Sequence, residues 1–183
     1  MDSCLVGSEM CIRDSINGQP ICEVDFSANQ LRMQLALFFA KDAGEDPYGE
    51  IALNSDGLEK EKVKQFIVVA FGAKSRHKAI GGCWKKGINH KEFKALELAT
   101  LETYPELKLF DAWTHQAQNL EGQILKKIML QGVERDIVCL PVHDAVAVQQ
   151  RHEQWAVEAM ISTWSEVVCS DVKPRVKVDR AGS

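Results

Sequence analysis

The stretch DIVCLPVHDAVAV, residues 136–148, is the clearest structural signal in the chain. Two apolar runs, DIVCLPV (136–142) and AVAV (145–148), are separated only by His143 and Asp144. Short apolar runs joined by a tight corner are typical of two antiparallel strands in a hairpin. A carboxylate at such a corner is unusual, because its charge must be solvated, paired or bound to a cation.

A second strand is predicted near the start of the chain. Asn17 and Gly18 suit the type I′ turn of a hairpin, and ICEVDF (21–26) alternates as a strand does. The pattern then becomes helical, with Ser27 expected to cap the helix. Four apolar side chains are predicted to share one face of this helix: Leu31, Leu35, Phe38 and Phe39.

The rest of the chain alternates between helices and breaks. Helices are predicted at about 58–72, 91–104, 111–131 and 152–169. GEDPYG (44–49) and the basic KSRHKAIGGCWKKGINH (74–90) are predicted to be loops, and VKPRVKV (172–178) a short edge strand. The order indicates an α+β fold with a small antiparallel sheet packed with helices.

The composition indicates a globular chain of the cytoplasm with no membrane partner. Of its 183 residues, 45% are hydrophobic and 26% are charged, which is ordinary for a folded domain. The longest apolar runs, 66–71 and 137–142, are too short to cross a bilayer, and no signal-peptide pattern is present. The six cysteines include no C-x-x-C pair, so we expect reduced thiols rather than disulfides or a zinc site.

The charge is unevenly distributed along the chain. The formal net charge is −4, yet the segment 57–94 holds ten lysines and arginines against three glutamates, a local charge of +7. A basic segment on an acidic protein suits the binding of a polyanion along one side. A solvated, lysine-rich helix and loop explain the same composition equally well.

Asp25 and Asp144 form a pair if the first strand and the hairpin are neighbours in one sheet. Two carboxylates a few ångströms apart repel one another, and each raises the pKa of the other. Mg²⁺ removes that conflict because it prefers carboxylate oxygens, and two ions about 3.5–4 Å apart assist phosphoryl transfer. Taken singly, Asp144 also fits an ordinary turn residue, and Asp25 fits an N-cap of the following helix.

Three stretches, in this order, resemble the palm of a family A DNA polymerase, the DNA polymerase I type. DFSANQLR (25–32) is similar to the first motif, D-Y-S-x-x-E-x-R, at four positions: Asp25, Phe26, Ser27 and Arg32. The second motif is a helix with two basic residues four apart and then an aromatic-glycine pair, matched by Lys60, Lys64, Phe71 and Gly72. LPVHDAV (140–146) contains the V-H-D of the third motif. The likeness spans about residues 19–170.

The resemblance implies a DNA-directed DNA polymerase, in replication or repair in a bacterium or phage, with primer–template DNA and dNTP as partners. Asp25 and Asp144 would bind two Mg²⁺ ions, and His143 would lie beside the primer terminus unless it is a structural histidine at a corner. The residues expected to bind the nucleotide are Gln30, Arg32, Lys60, Lys64 and Phe71. Those expected to contact DNA are Lys74, Arg76, Lys78, Asn119 and Gln123, of which the last two are equally well explained as solvated helix residues.

Three positions depart from the family pattern. Gln30 stands where the family has a glutamate that helps to exclude a ribose 2′-hydroxyl. Ala145 stands where an acidic residue often follows V-H-D. The spacing from Lys64 to Phe71 is one residue shorter than usual, which turns the aromatic by about 100° around a helix.

The domain organisation follows from the same resemblance. Residues 16–183 are expected to form a palm-like domain with reduced fingers at about 45–100, because the span between the first and third motifs is compact for the family. Neither an exonuclease domain nor an evident thumb is recognisable. A bare palm holds duplex poorly, so we expect low processivity if this chain acts alone.

Residues 1–15 are expected to be foreign to the natural protein. One back-translation of CLVGSEMCIRDS (4–15) resembles a transposase adapter used to prepare sequencing libraries. A translated adapter has no reason to pack against the fold, so we expect this segment to be poorly packed. The natural sequence would then begin near Ile16, and the missing thumb would reflect a truncation.

Two other functions stay open. A palm-like module that binds nucleic acid or a replication partner without catalysis is favoured by Gln30 and Ala145. A metal phosphohydrolase of the H…HD…D type is suggested by His143-Asp144, but it needs further ligands on helices. The remaining histidines considered for that role show no suitable spacing: His77, His90 and His115.

Overall fold

One long strand, β2 (Gln19–Phe26), organises the antiparallel sheet. The computed structural model describes residues 15–180, so the predicted poor packing of residues 1–15 concerns a segment that lies outside the described residues except for Ser15. β2 pairs with β1 (Ser15–Ile16), β4 (Ala145–Gln149) and β5 (Val176–Arg180), and β4 pairs in turn with β3 (Leu140–Val142). The predicted α+β fold with a small antiparallel sheet is confirmed.

Both predicted hairpins are present. Asn17 and Gly18 have positive φ values of 52° and 73° and connect β1 to β2, as a type I′ turn requires. Val142 lies opposite Ala145 in the β3–β4 pair, so His143 and Asp144 form a two-residue turn. The strand before this turn is shorter than expected, because the backbone N–H of Ile137 donates to the carbonyl of Gly132 and continues the end of the preceding helix.

The two faces of the sheet differ in chemistry. Cys22, Val24 and Phe26 of β2 are buried on the face against which helix α7 (Glu153–Val168) packs, and the α7 side chains buried there include Met160 and Trp164. Burying each such large side chain stabilises the fold by about 1.5–3 kcal/mol. Because side chains alternate along a strand, the opposite face carries the polar residues of β2 and its partners: Glu23, Asp25, Lys177 and Asp179.

A helical unit is inserted in the chain between β2 and β3. The chain divides into two compact units, Ala28–Asn119 and a sheet unit of residues 15–27 and 120–180. The helical unit contains α1 (Asn29–Phe39), α2 (Pro47–Leu53), α3 (Lys60–Gly72), α4 (Arg76–Lys85), α5 (His90–Thr103) and the first residues of α6 (Trp113–Glu134). Its core includes four fully buried side chains: Phe66, Ile67, Phe93 and Leu96.

Two helices occur where loops were predicted. α2 begins at Pro47 because Pro suits the first helical position and the Asp46 side chain accepts from the N–H of Gly49 at 3.2 Å. α4 is capped by Ser75, and one of its two glycines serves packing: a Cβ at Gly82 would lie 2.7 Å from Cγ1 of Val69. Glycine therefore marks the close approach of α4 to α3, not a break.

The start of α1 corrects two further expectations. Ala28, with φ of 51°, is the N-cap, and no side chain caps this end, so the prediction of Ser27 as the cap was wrong. Phe38 and Phe39 do not share the buried face of Leu31 and Leu35, since they are 43% and 40% exposed. β5 likewise begins at Val176, later than predicted, so that Pro174 precedes the ladder.

Residues 15–180 contain neither a membrane-spanning helix nor a disulfide. No helix in that range is both long and apolar enough to cross a membrane. The four cysteines there, Cys22, Cys83, Cys139 and Cys169, are free thiols.

Candidate active site

Asp25 lies on β2, and Asp144 lies in the turn that leads into the adjoining strand β4. The register of the β2–β4 pair sets Asp25 opposite Ala145, and Asp144 directly precedes Ala145. Asp25 belongs to β2, and the N-cap of α1 is Ala28, so the alternative of Asp25 as a helix cap is excluded. The sheet thus brings together the two carboxylates that the sequence pattern singled out.

The electrostatics of the pair are unfavourable for two negative charges. Burial raises the pKa of Asp144 above its usual 3.8, and the negative charge of Asp25 raises it further. A backbone hydrogen bond, His143 and Lys177 act in the opposite direction. An additional cation at this position would remove the repulsion, which is what a metal site or a basic side chain provides.

The turn that carries Asp144 is conformationally unusual. His143 is exposed and has a φ of 56°, a region that non-glycine residues adopt at a cost of about 1–3 kcal/mol. Such positions cluster at functional sites. The charge of His143 partly offsets the rise that burial and Asp25 cause in the pKa of the neighbouring Asp144, and the contact of His143 with a primer stays a prediction.

Lys177 is a site residue that the sequence analysis missed. On β5 it is the cross-strand neighbour of Asp25, and its Nζ lies 3.3 Å from Oδ2 of Asp25 and 3.2 Å from Oδ2 of Asp179. The hydrogen bond to Asp179, followed by the bond to Asp25, raises the pKa of Lys177. The alternation of valine and lysine in VKV (176–178) indicates a strand whose lysine lies on the polar face, and this was the signal that could have found Lys177.

The pair of carboxylates fits a shared magnesium site. Within residues 15–180, no group of three or more His, Cys, Asp or Glu side chains could enclose a metal, and Ala145 is a buried residue without a ligand atom. Mg²⁺ is commonly held by one or two carboxylates together with substrate phosphates. Asp25 and Asp144 meet that requirement if a substrate supplies the remaining oxygens.

The residues predicted to bind the nucleotide lie in the helical unit, and Arg32 has a structural role there. Arg32 is 2% exposed. Its guanidinium donates to the carbonyls of Gly44 at 2.8 Å and Glu45 at 3.0 Å and lies 3.5 Å from Asp42. These bonds fix the loop between α1 and α2.

Gln30 and Phe71 are also used by the fold of this unit. The side-chain oxygen of Gln30 accepts from the hydroxyl of Thr114 at 3.1 Å, and the backbone carbonyl of Gln30 accepts from the indole N–H of Trp113 at 2.8 Å. Phe71 is 1% exposed, so its ring is packed in the core. Base stacking by Phe71 remains a prediction that this packing does not favour.

The two lysines of α3 differ from each other. Lys60 forms an ion pair with Asp46 at 2.8 Å, whereas the neighbouring Lys64, one turn along the helix, has an exposed side chain. Both are on the surface of the helical unit. Of the two, Lys64 is the better candidate for an anionic ligand, because Lys60 must first leave its carboxylate.

The residues predicted to contact DNA are all exposed. Arg76 is held by Glu97 through two short bonds of 2.6 and 2.7 Å and lies over the Phe93 ring at 5.1 Å. Lys74 and Lys78 flank it at the start of α4, and Asn119 and Gln123 lie one turn apart on α6. Their contact with DNA stays a prediction.

The histidines considered for a phosphohydrolase do not support that function. His143-Asp144 is the turn of a β-hairpin, whereas that site needs the pair on a helix. His77, His90 and His115 belong to helices of the other unit. The described residues contain no cluster that would bind such a metal.

Comparison with solved structures identifies a similar fold. The chain is similar to the POL domain of Pol1 from M. smegmatis, solved in complex with DNA primer-template and dNTP, with a TM-score of 0.54 and 14% sequence identity. The match covers 99% of this chain but 43% of that chain. No model of a known protein family and no curated protein matches the sequence. At this identity the likeness shows a polymerase-like fold.

Proposed function

We propose that this chain is the palm and reduced fingers, at about 45–100, of a family A type DNA polymerase. It would transfer a nucleotide from dNTP to a primer 3′-hydroxyl on a DNA template, in the cytoplasm of a bacterium or a phage-infected cell. The observation that carries the proposal is the placement of Asp25 on β2 beside Asp144, in the turn that leads into β4, in a sheet whose other face is covered by α7. The polymerase-like fold supports it.

The carboxylates would perform the central task. Asp25 and Asp144 would hold two Mg²⁺ ions together with the phosphates of the nucleotide. When bound, these ions make the 3′-hydroxyl a better nucleophile and neutralise the charge on the leaving pyrophosphate. The bond from the primer oxygen to the α-phosphorus forms as the bond to the pyrophosphate oxygen breaks.

The chain's other residues would bind and orient the substrates. Lys64, with Lys60 once released from Asp46, would attract the triphosphate as a point charge. His143, on the exposed corner beside Asp144, would contact the primer terminus. Lys74, Lys78 and the exposed side chains of α6 would add sequence-independent contacts to phosphates.

Primer extension tests the proposal. A labelled primer–template is incubated with dNTP, Mg²⁺ and the full chain, either unchanged or carrying Asp25→Asn. The matched control is Glu23→Gln, which removes a carboxylate from the same strand and the same face two residues away. Extension that depends on Asp25 but not on Glu23 is the expected result; equal extension by all three proteins would refute the site.

A second candidate function is a polymerase-like module that binds nucleic acid without catalysis. The specific observation in its favour is that Ala145 offers no ligand atom beside the pair and that Gln30 is bonded to Thr114 within the helical unit. Fluorescence anisotropy with the same labelled duplex separates the two functions. Binding that persists without any Mg²⁺-dependent incorporation would favour the module.

A further inference from the structure

The Asp25 carboxylate already has a cation beside it. Lys177 Nζ lies 3.3 Å from Oδ2 of Asp25, and the two residues are direct partners across β2 and β5. A Mg²⁺ ion bound to the same carboxylate would lie about 2.0–2.1 Å from its oxygen. The ammonium group and a metal ion on the same carboxylate would repel one another, so each weakens the binding of the other.

We propose that Lys177 is a built-in competitor for the metal at Asp25, and that Asp179 receives its ammonium group when the metal binds. This inference rests on the proposed metal site and deepens it. It assigns a positioning function to a residue of β5 that the polymerase resemblance does not include.

The geometry of β5 makes the exchange easy. Lys177 and Asp179 are two residues apart on one strand, so both side chains project from the same face. Nζ of Lys177 already lies 3.2 Å from Oδ2 of Asp179, so transfer needs only a small movement away from Asp25. The side chains of Lys177 and Asp179 are 58% and 68% exposed, against 23% for Asp25, so the lysine moves through solvent and not through the core.

The competition has a functional consequence. In the metal-free protein, the positive charge of Lys177 offsets the repulsion between Asp25 and Asp144 and so lowers the cost of holding the two carboxylates together. In the metal-bound protein the ions take over that role. Lys177 therefore lowers metal affinity, and Asp179 limits this effect by binding the displaced ammonium group.

The two residues are predicted to act in opposite directions. Lys177→Met should bind metal more tightly, and Asp179→Asn should bind it more weakly because the lysine then has only Asp25. An exposed ion pair is worth roughly 0.2–1 kcal/mol, so each shift in Kd should be about 1.4- to fivefold. In the double variant, Asp179→Asn should have no further effect, because it acts only through Lys177.

The test is a titration of the full chain with Mn²⁺, in which the loss of the free-ion signal in electron paramagnetic resonance gives Kd. The proteins are the parent, Lys177→Met, Asp179→Asn, the double variant and Asp25→Asn. Far-UV circular dichroism and melting curves confirm that each remains folded, which is expected because Lys177 and Asp179 are largely exposed and Asp25→Asn keeps the size of the side chain.

The outcomes separate the inference from the proposed function. Opposite shifts in the two single variants, with a double variant that binds Mn²⁺ as tightly as Lys177→Met, support the exchange. If Asp25→Asn weakens Mn²⁺ binding but Lys177→Met and Asp179→Asn do not change it, the exchange is refuted and the metal site stands. If Asp25→Asn binds Mn²⁺ as the parent does, the proposed metal site itself is refuted.

Discussion

In the helical unit, Arg32 is bonded to backbone carbonyls and Lys60 to the carboxylate of Asp46. In the sheet unit, by contrast, Asp25 on β2 and Asp144 in the β3–β4 turn place like charges close together. The first arrangement stabilises the fold and leaves little unpaired charge that could bind a ligand. The second costs stability and invites a cation. Some residues of the predicted polymerase motifs are therefore bonded within the fold, whereas others are open to a ligand. The hydrogen bonds and ion pairs of a residue distinguish the two kinds better than its position in a motif does.

The largest expected effect is a divergence of activity and stability at Asp144. Replacing Asp144 with Asn should reduce primer extension by about a thousandfold or more, because the metal ions lose one of two carboxylates. The same change should raise the unfolding free energy by about 0.5–1 kcal/mol at neutral pH, since it removes a charge whose pKa burial and Asp25 have raised. Single-turnover kinetics and urea unfolding measure the two quantities.

The pH dependence checks the sign of this stability effect. Because the pKa of Asp144 is raised in the folded state, its charged form destabilises the protein at neutral pH and its protonated form does not. The advantage of Asp144→Asn should therefore shrink as pH falls through the raised pKa. A variant that is less stable than the parent at pH 7 would contradict the comparison.

In the helical unit, Phe71 should behave as a core residue. Phe71→Ala should lower the unfolding free energy by about 3–5 kcal/mol, through lost burial and the cavity left behind. The control is Phe38→Ala, which removes an aromatic ring that is 43% exposed and should cost about 1 kcal/mol or less. A small loss for Phe71→Ala with a large rise in KM for dNTP would instead make it a ligand-binding residue.

Arg32 provides an intermediate effect. Arg32→Met should cost about 2–3 kcal/mol, because the carbonyls of Gly44 and Glu45 lose a charged donor, and limited proteolysis should cut the α1–α2 loop faster. Lys64→Met, an exposed change in the same unit, should leave stability unaltered and weaken dNTP binding. If Arg32→Met weakened dNTP binding without loss of stability and Lys64→Met lowered stability, the roles given to the two residues would be wrong.

The smallest effect concerns Asp46. The hydrogen bond from Lys60 lowers the pKa of Asp46 below 3.8, so the stability it contributes is present above pH 3.8 and is lost as pH falls through the lowered pKa. Asp46→Asn keeps an N-cap acceptor but loses the ion pair, and should cost about 0.2–1 kcal/mol at pH 7 and less in acid. Asp56→Asn, on an exposed turn, is the control for thermal unfolding at both pH values.

The parts of this molecule that sequence predicts best are those fixed by local chemistry. The Asn17-Gly18 turn, the β3–β4 hairpin and the strand that ends with Asp25 follow from turn preferences and short-range alternation. Their meeting in one sheet followed only from the polymerase resemblance, because strand pairing across more than a hundred residues leaves no local signal.

The features that the sequence did not reveal depend on partners distant along the chain or on packing. In the sequence Gly82 resembles a helix breaker, but in the structure a side chain at this position would collide with Val69. Arg32 matches a nucleotide-binding motif, yet its bonding partners lie in the loop twelve residues further on. Lys177 matched no motif, and its importance appears only because β5 pairs with β2 next to Asp25.

The topology of β2 also sets the order in which the molecule can be built. This strand emerges early from the ribosome, but its hydrogen-bonding partners β4 and β5 are synthesised only at residues 145–149 and 176–180. The helices of Ala28–Asn119 are continuous in the chain, so we expect them to fold before the sheet, whose strands pair across more than a hundred residues. Asp25 and Asp144 would then come together late in folding, after the helical unit has formed.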